Sequence, residues 1–127
     1  MDRASGSEGR EESAILIRLH EARSERQDLP VTFHRRELEQ ILRLYGRMVA
    51  ANEWRDYAID HLQDRAVFSA FRRASETPLY RIVKNPGQAR KQGAWSVVAA
   101  GGLILKRGHD LSRVLTVFDK TLKLVEA

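Results

Sequence analysis

The sequence predicts an α+β domain, an antiparallel β-meander of three to five short strands packed with two main helices and preceded by a disordered N-terminal tail. Three observations carry this reading. Apolar residues recur at spacings of three and four over residues 32–51 and again after Asp110, as on one face of a helix. Between these stretches, β-branched and aromatic residues gather into short runs separated by glycine, proline and asparagine. Those runs follow one another too closely for the crossovers of a parallel sheet, so neighbours pair antiparallel.

Taken in order, residues 1–13 are rich in Ser, Gly, Glu and Arg and have no large apolar residue after Met1. Nothing there offsets a backbone ordering cost of about 1–2 kcal/mol per residue, so the segment is expected to be disordered. An apolar burst, Ala14 to Leu19, fits either an added edge strand or one turn of a docking helix. Residues 1–28 form the tail in this reading and residues 29–127 a single domain. The first helix starts with Thr32 as N-cap and runs to about Ala51, with Leu38, Ile41, Leu42, Tyr45, Met48 and Val49 on its apolar face. Residues 54–62 fit both periods, and the strand reading is preferred because it leads into a turn at Gln63-Asp64-Arg65. Strands are then expected over 66–73, 79–84, 94–99 and 103–107, divided at Ser75–Pro78, Asn85-Pro86-Gly87 and Gly101-Gly102. Asp110 caps the final helix, which places Leu111, Val114, Leu115, Phe118, Leu122 and Val125 on one face.

The chain contains no cysteine, which rules out disulfides, thiolate zinc sites and thiol nucleophiles and fits a cytoplasmic location. No apolar stretch approaches the ~20 residues of a membrane span, and the N-terminus lacks the apolar core of a signal peptide. The net charge of +5 is unevenly spread. Residues 1–28 hold five arginines against seven acids, whereas residues 66–109 hold eight basic residues against Glu76 alone.

No catalytic, metal or cofactor site is expected. None of His20, His34, His61 and His109 has the partner spacing of a helix-borne zinc site, and Asp56, Asp60, His61 and Asp64 read as a solvated acidic edge. Ser96, His109 and Asp110 supply the residue types of a hydrolase triad, but no serine elbow surrounds Ser96 and Asp110 has a capping role. Gly101-Gly102 lacks the pattern of a phosphate loop and reads as a turn.

The basic segment is the candidate site. Arg72, Arg73, Arg81, Lys84, Arg90, Lys91, Lys106 and Arg107 are expected to contact a polyanion, foremost a nucleic acid, through salt-sensitive phosphate contacts on a sheet face. Phe68 and Tyr80 add stacking platforms if they face outward. His34, Arg35 and Arg36 in the first turn of the first helix form a second candidate anion site, since cations beside helix N-terminal amides repel until an anion joins them. The alternative is a protein-binding adaptor or homo-oligomeric module using the Ile15–Leu19 segment or an uncovered sheet edge. The acidic tail beside the basic body also allows self-screening of the basic face.

Longer stretches carry a resemblance. Val31-Thr-Phe-His-Arg-Arg-Glu-Leu38, Leu42-Arg-Leu-Tyr-Gly-Arg-Met-Val-Ala-Ala51, Glu53-Trp-Arg-Asp-Tyr-Ala-Ile-Asp60 and Asp64-Arg-Ala-Val-Phe-Ser69 are followed by Pro78-Leu-Tyr-Arg-Ile82, Ala89-Arg-Lys-Gln-Gly93 and Leu105-Lys-Arg-Gly-His-Asp-Leu111. Together they resemble the small alphaproteobacterial family known as domain of unknown function twenty-seven ninety-four, over roughly residues 31–125. The resemblance implies a bacterial cytoplasmic setting and no assigned active site, and it transfers no functional residue.

Overall fold

The computed structural model describes residues 13–16, 18, 29–74 and 76–126. The disorder expected of the tail therefore falls almost entirely outside the described residues. Residues 13–16 and 18 are helical, with Ile15 and Leu16 exposed, so the described part of the apolar burst is helix rather than edge strand.

Helix α1 spans Arg35–Ala50 and begins later than a Thr32 cap requires. His34 is the extended N-cap, and its backbone N–H donates to the Glu37 carboxylate at 2.7 Å. Thr32 is held outside the helix because its carbonyl accepts from Lys84 Nζ at 2.9 Å, while Val31 N–H donates to Leu62 O at 2.9 Å. Ile41, Leu44 and Met48 recur at helical spacing and are the buried face of α1.

Five strands follow, β1 (Asp56–His61), β2 (Ala66–Phe71), β3 (Tyr80–Lys84), β4 (Trp95–Ala99) and β5 (Ile104–Gly108), hydrogen-bonded antiparallel in chain order. This is the upper end of the expected strand count, and residues 54–62 contribute a strand as preferred. The β4–β5 turn needs Gly101 and Gly102, with φ of 85° and 91°, where a side chain is disfavoured. The register sorts residues by face. Ile59, Phe68, Ile82 and Val97 stand side by side in one row, and Tyr57, Ala70, Tyr80 and Ala99 in the next. Both rows lie on the side where α1 and the C-terminal helices supply Ile41, Met48, Val114, Phe118 and Leu122 to one core.

The final helix is capped by Asp110 as expected, through a bond from Ser112 N–H at 2.9 Å, an arrangement whose loss costs about 1 kcal/mol. It is not continuous. Helix α2 (Leu111–Leu115) tightens into a 3₁₀ turn over Thr116–Phe118 before α3 (Asp119–Glu126). The Thr116 hydroxyl donates back to Arg113 O at 2.5 Å, which favours the narrower turn. The tightened path still buries Leu111, Val114, Leu115, Phe118 and Leu122, whereas Val125, expected on that face, is exposed. Arg47 pairs with Glu126 at 2.7 Å and, by that hydrogen bond, holds the Glu126 carboxyl below its ordinary range.

Candidate functional site

The two sheet faces differ in kind. On the face away from the core, the register sets Asp60, Val67, Val83, Ser96 and Arg107 in one row and Ala58, Ser69, Arg81, Val98 and Ile104 in the next. The side chains near the middle are small, so longer ones around them frame shallow hollows. One, of about 390 Å³, lies over Val67, Ser69, Val83 and Val98, with Arg65 and Arg81 on its walls. A neighbouring hollow of about 250 Å³ shares Arg65, Val83 and Val98 and reaches Ile104 and Arg107. Arg81 is exposed and makes no ion pair among the described residues. Arg65 meets Asp64 only at 3.7 Å, and Arg107 is oriented by Gln92, whose side-chain oxygen accepts from its guanidinium. Asp60 lines the first hollow near β1, so positive charge is concentrated from β3 toward β5.

The eight basic residues expected on one face are divided by the fold. Arg81 and Arg107 are on the open face, and Arg90 and Lys91 are exposed on the loop between β3 and β4. Lys84 is on the opposite, covered side. Its Nζ donates to the Glu37 carboxylate at 2.7 Å and to Thr32 O at 2.9 Å and stands 5.9 Å from the Trp95 ring centroid. Only a tenth of its side chain is exposed, so it is a structural cation and offers nothing to a ligand. Lys106 also takes the covered side, in register with Val97, and donates to the Thr116 hydroxyl at 3.1 Å. Arg72 and Arg73 lie beyond the end of β2, with Glu53 at 3.5 Å and Glu76 at 3.6 Å.

Phe68 and Tyr80 do not face outward. Phe68 is fully buried, and Tyr80 makes an edge contact with Phe118 at 5.0 Å, so neither is available for base stacking. At the start of α1, Glu37 itself meets the His34 amide and Lys84, while Arg35 pairs with Glu39 at 3.2 Å. The chain's own carboxylates thus occupy the positions that an external anion was expected to take beside His34, Arg35 and Arg36.

Asp110 is engaged in capping α2, and Ser96 faces the open side in mid-strand. Among the described residues no group of three or more His, Cys, Asp or Glu is placed to hold a metal ion, and no helix is long and apolar enough to cross a membrane. Sequence reasoning missed Arg65, at the turn entering β2, and the meeting of Arg55 with Arg72 and Arg73 around Asn52. A signal for the latter was present in the spacing, since antiparallel β1 and β2 bring the start of one beside the end of the other.

Fold and site together define an α+β domain with one sheet face packed against helices and a second that bears Arg81 and Arg107 around the buried Val67 and Ser69. By sequence the chain belongs to the family described as Protein of unknown function (DUF2794), whose model matches residues 31–115 and so spans the domain from before α1 through α2. No curated protein and no solved structure matches it.

Proposed function

We propose that this protein is a non-catalytic accessory module of the bacterial cytoplasm that holds the phosphate backbone of a nucleic acid against its open sheet face. The observation that carries this reading is Arg81. It stands mid-sheet, flanked by the small Ser69 and Val98 in its row, with no carboxylate paired to it among the described residues. Arg107, Arg90 and Lys91 extend the positive charge toward β5 and the adjoining loop. With Phe68 and Tyr80 turned into the core, recognition falls on phosphates rather than stacked bases, so binding is sequence-tolerant and dominated by counterion release. The lack of cysteine suits a reducing compartment.

A titration of labelled DNA and RNA measures this. Four phosphate contacts to duplex DNA predict an affinity falling on the order of a hundredfold between about 50 and 200 mM salt. Arg81→Ala/Arg107→Ala and Arg90→Ala/Lys91→Ala should each weaken binding and reduce the slope of log affinity against log salt by about two. No binding at the lower salt, or slopes unchanged in both variants, removes the reading.

A second reading is favoured by the β5 edge. Ile104 and Leu105, with Leu103 just before them, are exposed at a strand that pairs on one side only among the described residues, the arrangement that accepts a strand from another protein. Leu105→Lys separates the two. It should leave nucleic-acid affinity intact or raised by the added charge, and should abolish capture of a partner strand.

A further inference from the structure

We propose that Arg55, Arg72 and Arg73 form a phosphate-binding subsite at the end of the sheet where β1 begins and β2 ends. These arginines and Asn52 line a depression of about 330 Å³ that shares no lining residue with the two hollows of the open face. The fold assembles it from two segments distant in sequence. Asn52, in the left-handed conformation with φ of 64°, ends α1 and turns the chain toward β1. Arg55 N–H then donates to Phe71 O at 2.8 Å, one rung beyond the β1–β2 pairing, which brings Arg55 alongside the chain just before Arg72 and Arg73.

Structural duties leave these guanidiniums largely unused. The last carbonyls of α1 are served by backbone amides: Arg47 O by Ala51 N–H, Met48 O by Glu53 and Trp54 N–H, and Val49 O by Asn52 N–H. Two carboxylates stand near three guanidiniums, and both contacts are long, Glu53 to Arg72 at 3.5 Å and Glu76 to Arg73 at 3.6 Å. Arg55 makes no ion pair among the described residues. Three forked donors around one depression suit a tetrahedral oxyanion that accepts several charge-assisted bonds at once, and a phosphate near neutral pH carries enough charge to balance the excess. The same chemistry is presented by free inorganic phosphate and by a terminal phosphate of a nucleotide chain.

The test uses the full chain and amide chemical shifts. Sodium phosphate is titrated against sodium chloride at matched ionic strength, with inorganic phosphate as the probe. The expected result is a saturable shift of amides around Asn52, Arg55 and Arg72 with phosphate alone. It should move to at least tenfold higher concentration in Arg55→Ala and in Arg73→Ala and stay unchanged in Arg81→Ala/Arg107→Ala. Because the substituted side chains are exposed, the rest of the spectrum serves as the folding control. Identical curves for phosphate and chloride, or wild-type behaviour of Arg55→Ala, overturn the subsite without touching the open-face reading. Comparing one short oligonucleotide with a 5′-phosphate and with a 5′-hydroxyl then separates the sources. A 5′-phosphate advantage lost in Arg55→Ala assigns a chain terminus, and its absence beside intact inorganic phosphate binding assigns the free ion.

Discussion

Substituting Gly93 by alanine is expected to destabilise the domain by about 3–5 kcal/mol, a large part of the roughly 5–15 kcal/mol that holds a domain of this size folded. Two effects add. Gly93 has φ of 100°, where a side chain strains the backbone by about 1–2 kcal/mol. Its added Cβ would also stand 2.1 Å from both the carbonyl carbon and the oxygen of Gly108. Those are main-chain atoms at the end of β5, where Gly108 pairs with Trp95 two residues after Gly93, so no flexible side chain is available to yield. Gly101 is the control. It too has positive φ, but open space surrounds it, so Gly101→Ala should cost only the conformational part, about 1 kcal/mol. Gly46, in the middle of α1 with nothing near its missing Cβ, should gain roughly 0.5–1 kcal/mol on becoming alanine. Urea unfolding of the three variants measures the ordering, and a Gly93→Ala no worse than Gly101→Ala contradicts the close approach of β5.

Lys84→Met is the second large effect, expected at about 2–3 kcal/mol. Breaking a fully buried ion pair costs about 3–5 kcal/mol, and the partial exposure of Glu37, with 23% of its side chain accessible, lowers that figure. The ammonium joins β3 to the start of α1 by way of Glu37 and the Thr32 carbonyl, so its loss takes a donor from both, leaves the Glu37 carboxylate with the His34 N–H alone and loosens the helix entry. Glu37→Gln should cost less, because the amide oxygen can still accept from His34 N–H. A double-mutant cycle should return a coupling of at least about 1 kcal/mol between the two sites. Below its melting temperature, Lys84→Met should bind nucleic acid with wild-type affinity and salt slope. That separates Lys84 from Arg81, three residues before it in the same strand.

This separation marks where sequence reasoning succeeded and where it stopped. The helix of residues 35–50, the meander and the Asp110 cap were legible because each rests on local periodicity or local chemistry. Charge density within residues 66–109 was equally plain, but density is not a face. Arg81 and Lys84 differ by an odd number of positions, as do Lys106 and Arg107, so a strand sends each pair to opposite sides. Strand parity places Tyr80 with Ile82, the register sets Phe68 opposite Ile82, and only the packing of the helices shows that side to be the core. That Glu37 meets Lys84 across 47 residues has no local signal in the sequence. The same holds for the nearness of Gly93 to Gly108, since both are consequences of how strands and helix close on one another.

Trp54 is a further residue whose setting emerged only from packing. It is almost completely buried among Tyr45, Tyr80 and Phe118, and its indole N–H has no hydrogen-bond partner among the described residues. Such a group costs about 1–3 kcal/mol in desolvation, which the burial of a large aromatic surface offsets.

The most direct test of the open-face account is amide chemical-shift mapping of the isotope-labelled chain during titration with a short DNA duplex at low salt. The account predicts that the largest changes fall on Ser69, Arg81, Val83, Val98 and Arg107 and on the Arg90–Lys91 loop, with the buried face of α1 and α2 unchanged. Shifts concentrated on α1 and α3, or no shifts at all at low salt, would contradict it.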